Sequence, residues 1–537
     1  MNVRTARLTA WRPHLGSWVS GIFFLVLWQL VVDHIFSAYG TVPSPLQILR
    51  QFFITDGPSF YFLSASHTLY TAVQGWFWGN LIAISLAMLV VAVSWMEKPV
   101  LQLGAVSHCL PIVAIGPILV IISSGGTPRV ILSGMSVFFV TLIGSLLGLR
   151  SVDRPVLEAI QAFGGGGVTK LVKARWRAAL PSLFAALRVA APSAILGSIV
   201  GEFLGAENGL GVVLINSQQA MNYSRTWAVA LFSTAIAGTA YGIISLIGHW
   251  LTPWARETYS NLAGGTSERS SRVLSVPRYI LVLRALSSAA LSLVIVLFVW
   301  ISILKIFHVP PFIGKGPLDV WSYVFDPDSG ADNRATLMGE SEISLRDGFL
   351  GLFCGTGAAL LTAAIFHVLP PVQRIFMGPA LALQSVPLVA MTPLIIMIFG
   401  RNLVTIAVIG GIVTFFPTLV NVTLALARTP KDATDLMRVF GASKFDILRK
   451  VQIPFALPAL FASLRVAAPL AVTGALLAEW LATGNGLGYA IFSDVATSDY
   501  SALWTSVAIA TLYSLVLYNG IGFIEQFILR RMTDARV

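Results

Sequence analysis

The sequence predicts an all-α polytopic membrane protein, with about twelve transmembrane helices arranged as two parallel six-helix repeats. Composition is the first reason. The chain has 537 residues, 56% hydrophobic and only 11% charged, and a mean hydropathy of +0.80, whereas a soluble chain carries about 25% charged residues. Single cores stop growing near roughly 250–300 residues, so an apolar excess of this size must face lipid. The other two reasons are a series of span-length apolar runs and an internal repeat.

In chain order the runs fall near 18–36, 69–94, 99–123, 128–149, 183–204 and 227–252, then near 280–307, 348–369, 375–399, 402–427, 459–482 and 503–529. About 20 apolar residues suffice to cross the hydrocarbon layer. Arg4, Arg7 and Arg12 precede the first run, which is span-length and lacks a small-residue cleavage site; it reads as an uncleaved first helix. The expected divisions are a cytoplasmic N-terminal segment at 1–17, a first half at 18–255, a cytoplasmic linker at 256–278, a second half at 279–530 and a cytoplasmic tail at 531–537. The linker is polar and contains Gly264, Gly265 and several Ser and Arg residues, the composition of a connector.

Charge orients this arrangement. The N-terminus, 150–177, 256–278, 428–450 and the tail are basic and fall on one side. Asp319, Asp326, Asp328, Asp332, Glu340, Glu342 and Asp347, with Asp494 and Asp499, fall on the other. Lys and Arg collect on cytoplasmic loops, so the basic side is cytoplasmic and both termini lie there. The net charge of +11 is thereby topology, and no nucleic-acid partner is expected.

The repeat aligns 181–227 on 458–504 without gaps, with 21 of 47 positions identical. Both copies contain Leu-Arg-Val-Ala-Ala-Pro, with Arg188 and Arg465 at the second place. Both contain Asn-Gly-Leu-Gly, as Asn208, Gly209, Leu210, Gly211 and as Asn485, Gly486, Leu487, Gly488. With an even number of spans per half, the copies enter the membrane in the same sense, as in a fused dimer. Gly197, Gly201, Gly205 and Gly209 recur every fourth residue, matched by Gly474, Ala478, Ala482 and Gly486. That spacing predicts a small-residue helix face for close packing or a gate. Glu202 and Glu479 stand near the outer ends of the same spans, too far from Arg188 and Arg465 for an intrahelical pair. Each is expected to reach water or to cap the Asn-Gly-Leu-Gly turn.

Between the fourth and fifth runs of each half lies a polar segment patterned for short helices. The first reads Glu158-Ala159-Ile-Gln-Ala-Phe-Gly164, followed by Leu180-Pro181; the second reads Asp435-Leu-Met-Arg-Val-Phe-Gly441-Ala442-Ser443, followed by Leu457-Pro458. A short helix closed by a Gly in left-handed geometry makes a compact knob, and a Pro suits the start of the next helix. Gly164–Gly167 with Thr169-Lys170 superficially suggests a phosphate loop, but Thr stands where that pattern demands Gly and no strand precedes it. His67, His108, His308 and His367 are dispersed, and Cys109 and Cys354 lie in apolar surroundings, so no metal site or catalytic residue is expected.

The two knobs resemble the EAA loops of permease subunits of binding-protein-dependent ATP-binding-cassette importers of type I. Val42-Pro43-Ser44-Pro45, Leu110-Pro111 with Pro117, Val386-Pro387 with Pro393, and Glu-x(6)-Gly-Leu-Gly from Glu202 and Glu479 are similar to the nitrate/sulfonate/taurine type; fusion of both halves also occurs in iron(III) and thiamine permeases. The resemblance implies a pore-forming subunit of a bacterial inner-membrane uptake system for a small oxyanion or organic anion. Its partners would be two separate ATPase subunits, which carry ATP and Mg, and an extracytoplasmic solute-binding protein. Glu158, Ala159, Gly164, Pro181, Asp435, Gly441, Ala442 and Pro458 would couple to the ATPases, and this chain would perform no covalent chemistry. The contrasting expectation is a self-sufficient secondary transporter, which needs ion-coupling charges near the bilayer midplane at the repeat interface.

Overall fold

The computed structural model describes residues 25–36, 42–123, 125–256, 278–384 and 388–534. The segment 1–17, residues 18–24 of the first run, nearly all of the linker, Val386-Pro387 and residues 535–537 lie outside these. Among the described residues the architecture is all-helical, with ten principal helices in each half. The first half contains α1 Leu25–His34, α2 Pro45–Arg50, α3 Pro58–Ala92, α4 Glu97–Cys109 and α5 Ile112–Ile122. It continues with α6 Thr127–Leu149, α7 Arg154–Ala162, α8 Trp176–Phe203, α9 Leu210–Gln219 and α10 Tyr223–Leu251.

The second half repeats the series. It runs α11 Arg278–Ile306, α12 Pro317–Phe325, α13 Gly330–Val368, α14 Pro370–Gln384 and α15 Leu388–Phe399. Then come α16 Leu403–Ala427, α17 Lys431–Val439, α18 Ile453–Ala478, α19 Leu487–Thr497 and α20 Tyr500–Asp534.

Among the described residues four helices per half, α3, α6, α8 and α10 with α13, α16, α18 and α20, are long and apolar enough to cross a membrane. The run at 99–123, expected as one span, is instead the pair α4 and α5, bent by 92°. Leu110 takes an extended ψ of 112° because the ring of Pro111 disfavours helical geometry at the residue before it. The run at 375–399 is likewise divided between α14 and α15. Among the described residues the first run is represented by Leu25–His34 and the seventh by α11, whose Leu293–Ile306 part is apolar.

Each half is built on a close-packed trio, α3, α6 and α8 or α13, α16 and α18. Glycines permit the approach. A Cβ on Gly79 would lie 2.6 Å from the Gly134 carbonyl oxygen of α6, and one on Gly351 would lie 2.8 Å from Gly410 Cα of α16. The halves meet across a seam on which α4 and α5 pack against α18 and α20, while α15 packs reciprocally against α9 and α10. Ala114 and Ile118 of α5 join Val472, Leu476, Leu487 and Ile491 in one buried apolar cluster. Phe203, Leu210 and Leu214 join Ile395, Ile406 and Leu477 in another.

Polar ties hold the loops at the ends. Burial pushes the Asp56 carboxyl up, but hydrogen bonds from Arg225, Gln51 and Tyr61 outweigh it and hold the group below the usual carboxylate range. This fixes the entry to α3 against the start of α10. On the second half, burial together with Glu340 and Asp499 pushes the Asp494 carboxyl up to about 7.

Candidate functional site: two knobs and two buried carboxylate clasps

The knob helices α7 and α17 end in the same way. Gly164 and Gly441 adopt φ of 79° and 75°, the left-handed region that a residue without Cβ enters freely. Gly165 N–H donates to Ile160 O at 2.8 Å and Gly164 N–H to Gln161 O at 2.9 Å; Ala442 N–H donates to Met437 O at 3.0 Å and Gly441 N–H to Arg438 O at 2.9 Å. This double bond pattern is the Schellman closure of a helix. It leaves Phe163 and Phe440 93% and 79% exposed, with Val168 and Phe445 also exposed beside them. Glu158 and Ala159 lie in α7, and Asp435 in α17 pairs with Arg438 at 2.8 Å.

The knobs differ at the next turn. Ser443 Oγ donates to Asp446 Oδ2 at 2.5 Å and accepts from Asp446 N–H at 3.1 Å, a reciprocal cap that Gly166, standing at the corresponding place, does not form. Pro181 and Pro458, expected to start the following helices, lie inside α8 and α18. The reason is that π-helical turns at Lys170–Arg175 and Leu448–Gln452 run directly into those helices, so the first-turn position is taken by Pro454 in α18 and the helices begin well before 183 and 459. Arg188 and Arg465 are consequently mid-helix residues.

At the opposite ends of α8 and α18 the glycine series also departs from a single face. Gly197 and Gly201 do pack on α6, where a Cβ would lie 2.8 Å from the Leu132 carbonyl oxygen or 2.9 Å from Arg129 Cα; Gly474 contacts Val413 and Gly410 likewise. Gly205 and Gly209 lie beyond the helix end with φ of 144° and 133°. Gly486 has φ of 89°, and Ala482 sits in the π-helical turn Glu479–Thr483. Every-fourth spacing continued past the point where the helix stopped.

These turns surround Glu202 and Glu479, which are 1% and 0% exposed and so do not reach water. Glu202 Oε2 accepts from Gly211 N–H at 2.7 Å and from Thr68 Oγ1 at 3.1 Å, while Thr68 Oγ1 accepts from Leu210 N–H at 2.9 Å. Glu479 Oε2 accepts from Gly488 N–H at 2.7 Å and from Ser344 Oγ at 2.8 Å, while Ser344 Oγ accepts from Leu487 N–H at 2.9 Å. The first two amides of α9 and α19 are thus satisfied by a hydroxyl from α3 or α13 and a carboxylate from α8 or α18. Helix N-termini have free donors and a positive dipole end, and a carboxylate answers both.

The clasp accounts for the glycines of Asn-Gly-Leu-Gly. A Cβ on Gly209 would lie 2.3 Å from Glu202 Cδ, and one on Gly486 would lie 2.5 Å from Glu479 Oε2. A Cβ on Gly211 or Gly488 would lie 2.6 Å or 2.2 Å from the backbone oxygen of Ile199 or Leu476. Around Asn208, the Arg129 Nη1–H donates to its carbonyl at 3.4 Å, and Asn485 Nδ2–H donates to Thr483 O at 3.4 Å. Sequence reasoning missed Thr68 and Ser344, which are more than a hundred residues from the carboxylates they serve. Asp347, buried and paired with Arg346 at 2.9 Å, is a second-half feature without a first-half counterpart, because Thr71 occupies the matching turn of α3. Among the described residues no group of His, Cys, Asp and Glu has metal-ligand geometry.

Residues 79–257 and 351–534, more than half of the chain, match the family of binding-protein-dependent transport system inner membrane components, once in each half. The chain is 34% identical over 155 residues to the riboflavin transport system permease protein of Chloroflexus aurantiacus, covering 29% of this chain and 58% of that protein. It is 27% identical over 180 residues to the formylaminopyrimidine transport permease protein of Halalkalibacterium halodurans, covering 34% of this chain and 72% of that one. It is 23% identical over 229 residues to the nitrate import permease protein of Leptolyngbya laminosa, covering 38% and 82%. The first of these relatives is thus spanned over little more than half its length.

Proposed function

The chain belongs to the family of binding-protein-dependent transport system inner membrane components, and from that premise we propose that it is the pore-forming component of an ATP-driven importer, with two permease halves in one polypeptide. Two separate ATPase subunits, which bind and hydrolyse ATP with Mg, dock on the knobs through Glu158, Ala159, Gly164 and Pro181 in one half and Asp435, Gly441, Ala442 and Pro458 in the other. An extracytoplasmic solute-binding protein delivers substrate at the clasp end, and the pathway follows the seam. The observation that carries this reading is the matched pair of closed knobs, each offering Phe163 or Phe440 to a partner. An exposed aromatic at the tip of a rigid turn is the kind of anchor that fills a pocket in a docking protein.

For the solute we propose a small oxyanion or organic anion, supported by the likeness to the nitrate permease and by the proline and Glu-x(6)-Gly-Leu-Gly patterns. Relatives named for riboflavin and formylaminopyrimidine make neutral heteroaromatics the class to test against it. The test is uptake by proteoliposomes holding the full chain with its ATPase subunits and binding protein, given labelled nitrate, methanesulfonate, bicarbonate or riboflavin. Uptake that requires ATP inside is expected. Uptake by the chain alone, driven by an ion gradient, would make it a secondary transporter instead.

Orientation gives a separate expectation. In a chain lacking Cys109 and Cys354, Ser329→Cys should react with an impermeant maleimide from outside intact cells, and Val168→Cys only after permeabilisation; both sites are exposed. The opposite pattern would place the knobs outside and remove the docking proposal with them.

A further inference from the structure

Two mid-helix arginines of the spans have neither a role in the clasps or knobs nor an ion-pair partner among the described residues. Arg188 lies in the middle of α8, about 18 Å from Trp176 and about 22 Å from Phe203 at 1.5 Å rise per residue, and Arg465 takes the same place in α18. Each guanidinium lies over a tyrosine of the last helix of its own half, Arg188 over Tyr241 at 5.8 Å and Arg465 over Tyr518 at 4.3 Å. The two tyrosines are related by the same offset as the two arginines, although both fall outside the stretch in which the repeat is visible. Nε of each arginine is buried with no hydrogen-bond partner. None of the ion pairs among the described residues includes either one.

Arg465 is placed at the seam. Tyr518 beneath it clusters with Ala105 and Cys109 of α4, from the other half. The next residue, Val466, has its carbonyl 3.3 Å from His108 Nε2 of α4. Gly522 of α20 leaves room for the guanidinium, since a Cβ there would lie 3.3 Å from Arg465 Cζ.

An arginine at the centre of a membrane helix costs at least about 2.5–3.5 kcal/mol and usually marks a solute or ion path. The repeat carries the same charge to the same depth in both halves, and in neither does a carboxylate among the described residues pair with it. Arg465 also shares a side-chain hydrogen bond with Tyr518, while the buried Nε of each arginine has no partner; a planar guanidinium matches an oxyanion in two-point contact. With no carboxylate among the described residues pairing with either guanidinium, a passing anion meets uncompensated positive charge, and with one such cation per half it is held weakly enough to leave.

We propose that Arg188 and Arg465 form a mid-membrane relay for a small oxyanion, one guanidinium from each half, each held beside the tyrosine of its half's last helix. The proposal rests on the anion reading above. It is tested in the same proteoliposomes with Arg188→Gln, Arg465→Gln, both together, and the corresponding Lys variants, using labelled nitrate and methanesulfonate, with protein level and thermal midpoint followed in parallel. Each Gln change should lower anion uptake about tenfold, equivalent to about 1.4 kcal/mol, with the midpoint unchanged. Lys should restore most of the rate and alter the nitrate-to-methanesulfonate ratio, because it offers a point charge in place of a planar fork.

Anion uptake at the unmodified rate in the double Gln variant would overturn the relay and leave the anion reading standing. Equal losses in Gln and Lys variants, together with a lowered midpoint, would make the arginines structural and overturn it too. An unmodified protein that takes up riboflavin and neither anion would remove the anion reading itself, and the relay with it.

Discussion

The double variant Gly164→Arg, Gly441→Arg is expected to lose ATP-driven uptake almost completely while the chain remains folded and in the membrane. At both positions a Cβ would meet nothing within 4 Å, so the added side chain projects outward from the knob without disturbing the chain's own packing. The backbone cost is that of an L residue in left-handed geometry, about 1–2 kcal/mol per site, spent in a solvent-facing turn that supports no core. The effect falls on the partner: a long cation beside Phe163 or Phe440 prevents the aromatic from seating. Gly164→Asn with Gly441→Asn separates the two causes, since Asn tolerates the same φ without the bulk, and most of the uptake should persist. Measurement requires uptake, ATPase rate with and without the binding protein, and the amount of ATPase subunit retained on the purified chain. Normal uptake by the Arg variant at unchanged protein level would remove the knobs as coupling elements.

Much of this arrangement is legible in the sequence, and the parts that are not have definite reasons. The repeat, the long spans and the glycine closing each knob follow from local chemistry: apolar length, period and the left-handed cap. The bend between α4 and α5 escapes because hydropathy is indifferent to direction; the chain from Val100 to Val106 is already largely apolar before the turn and Ile112 to Ile122 more so after it. Only Leu110-Pro111 marks the break. Thr68 and Ser344 escape for another reason. They are equivalent in space but belong to helices outside the visible repeat, are shifted by one position relative to its offset, and use different residue types for one task.

Glu202→Ala and Glu479→Ala are each expected to destabilise the chain by about 3 kcal/mol, because a buried carboxylate bonded to an amide and a hydroxyl is replaced by unanswered donors that cost about 1–3 kcal/mol each. Gln should cost less, since it keeps one acceptor oxygen facing Gly211 or Gly488. The sharper expectation concerns coupling with the adjacent glycine. In the unmodified chain Gly486→Ala forces its methyl onto Glu479 Oε2, 2.5 Å away, and that carboxylate cannot swing aside without releasing Gly488 N–H and Ser344 Oγ together. Gly486→Ala alone therefore loses the clasp as well as bearing the left-handed backbone cost. In the Glu479→Ala background the obstacle is gone, and only the backbone cost of about 1–2 kcal/mol remains. The two changes should be strongly less than additive, with a coupling of 1 kcal/mol or more on the order expected for residues in direct contact. Gly209→Ala with Glu202→Ala should behave in the same way in the first half. Thermal midpoints of the four proteins in each cycle decide it: additive losses would mean that the carboxylate and the glycine do not share one site. Uptake in the surviving variants should slow without a change in preference among solutes, because both carboxylates are buried, 1% and 0% exposed, and tie the first turn of α9 or α19 to α3 or α13. A changed preference between nitrate and riboflavin would instead put Glu202 or Glu479 on the solute's path.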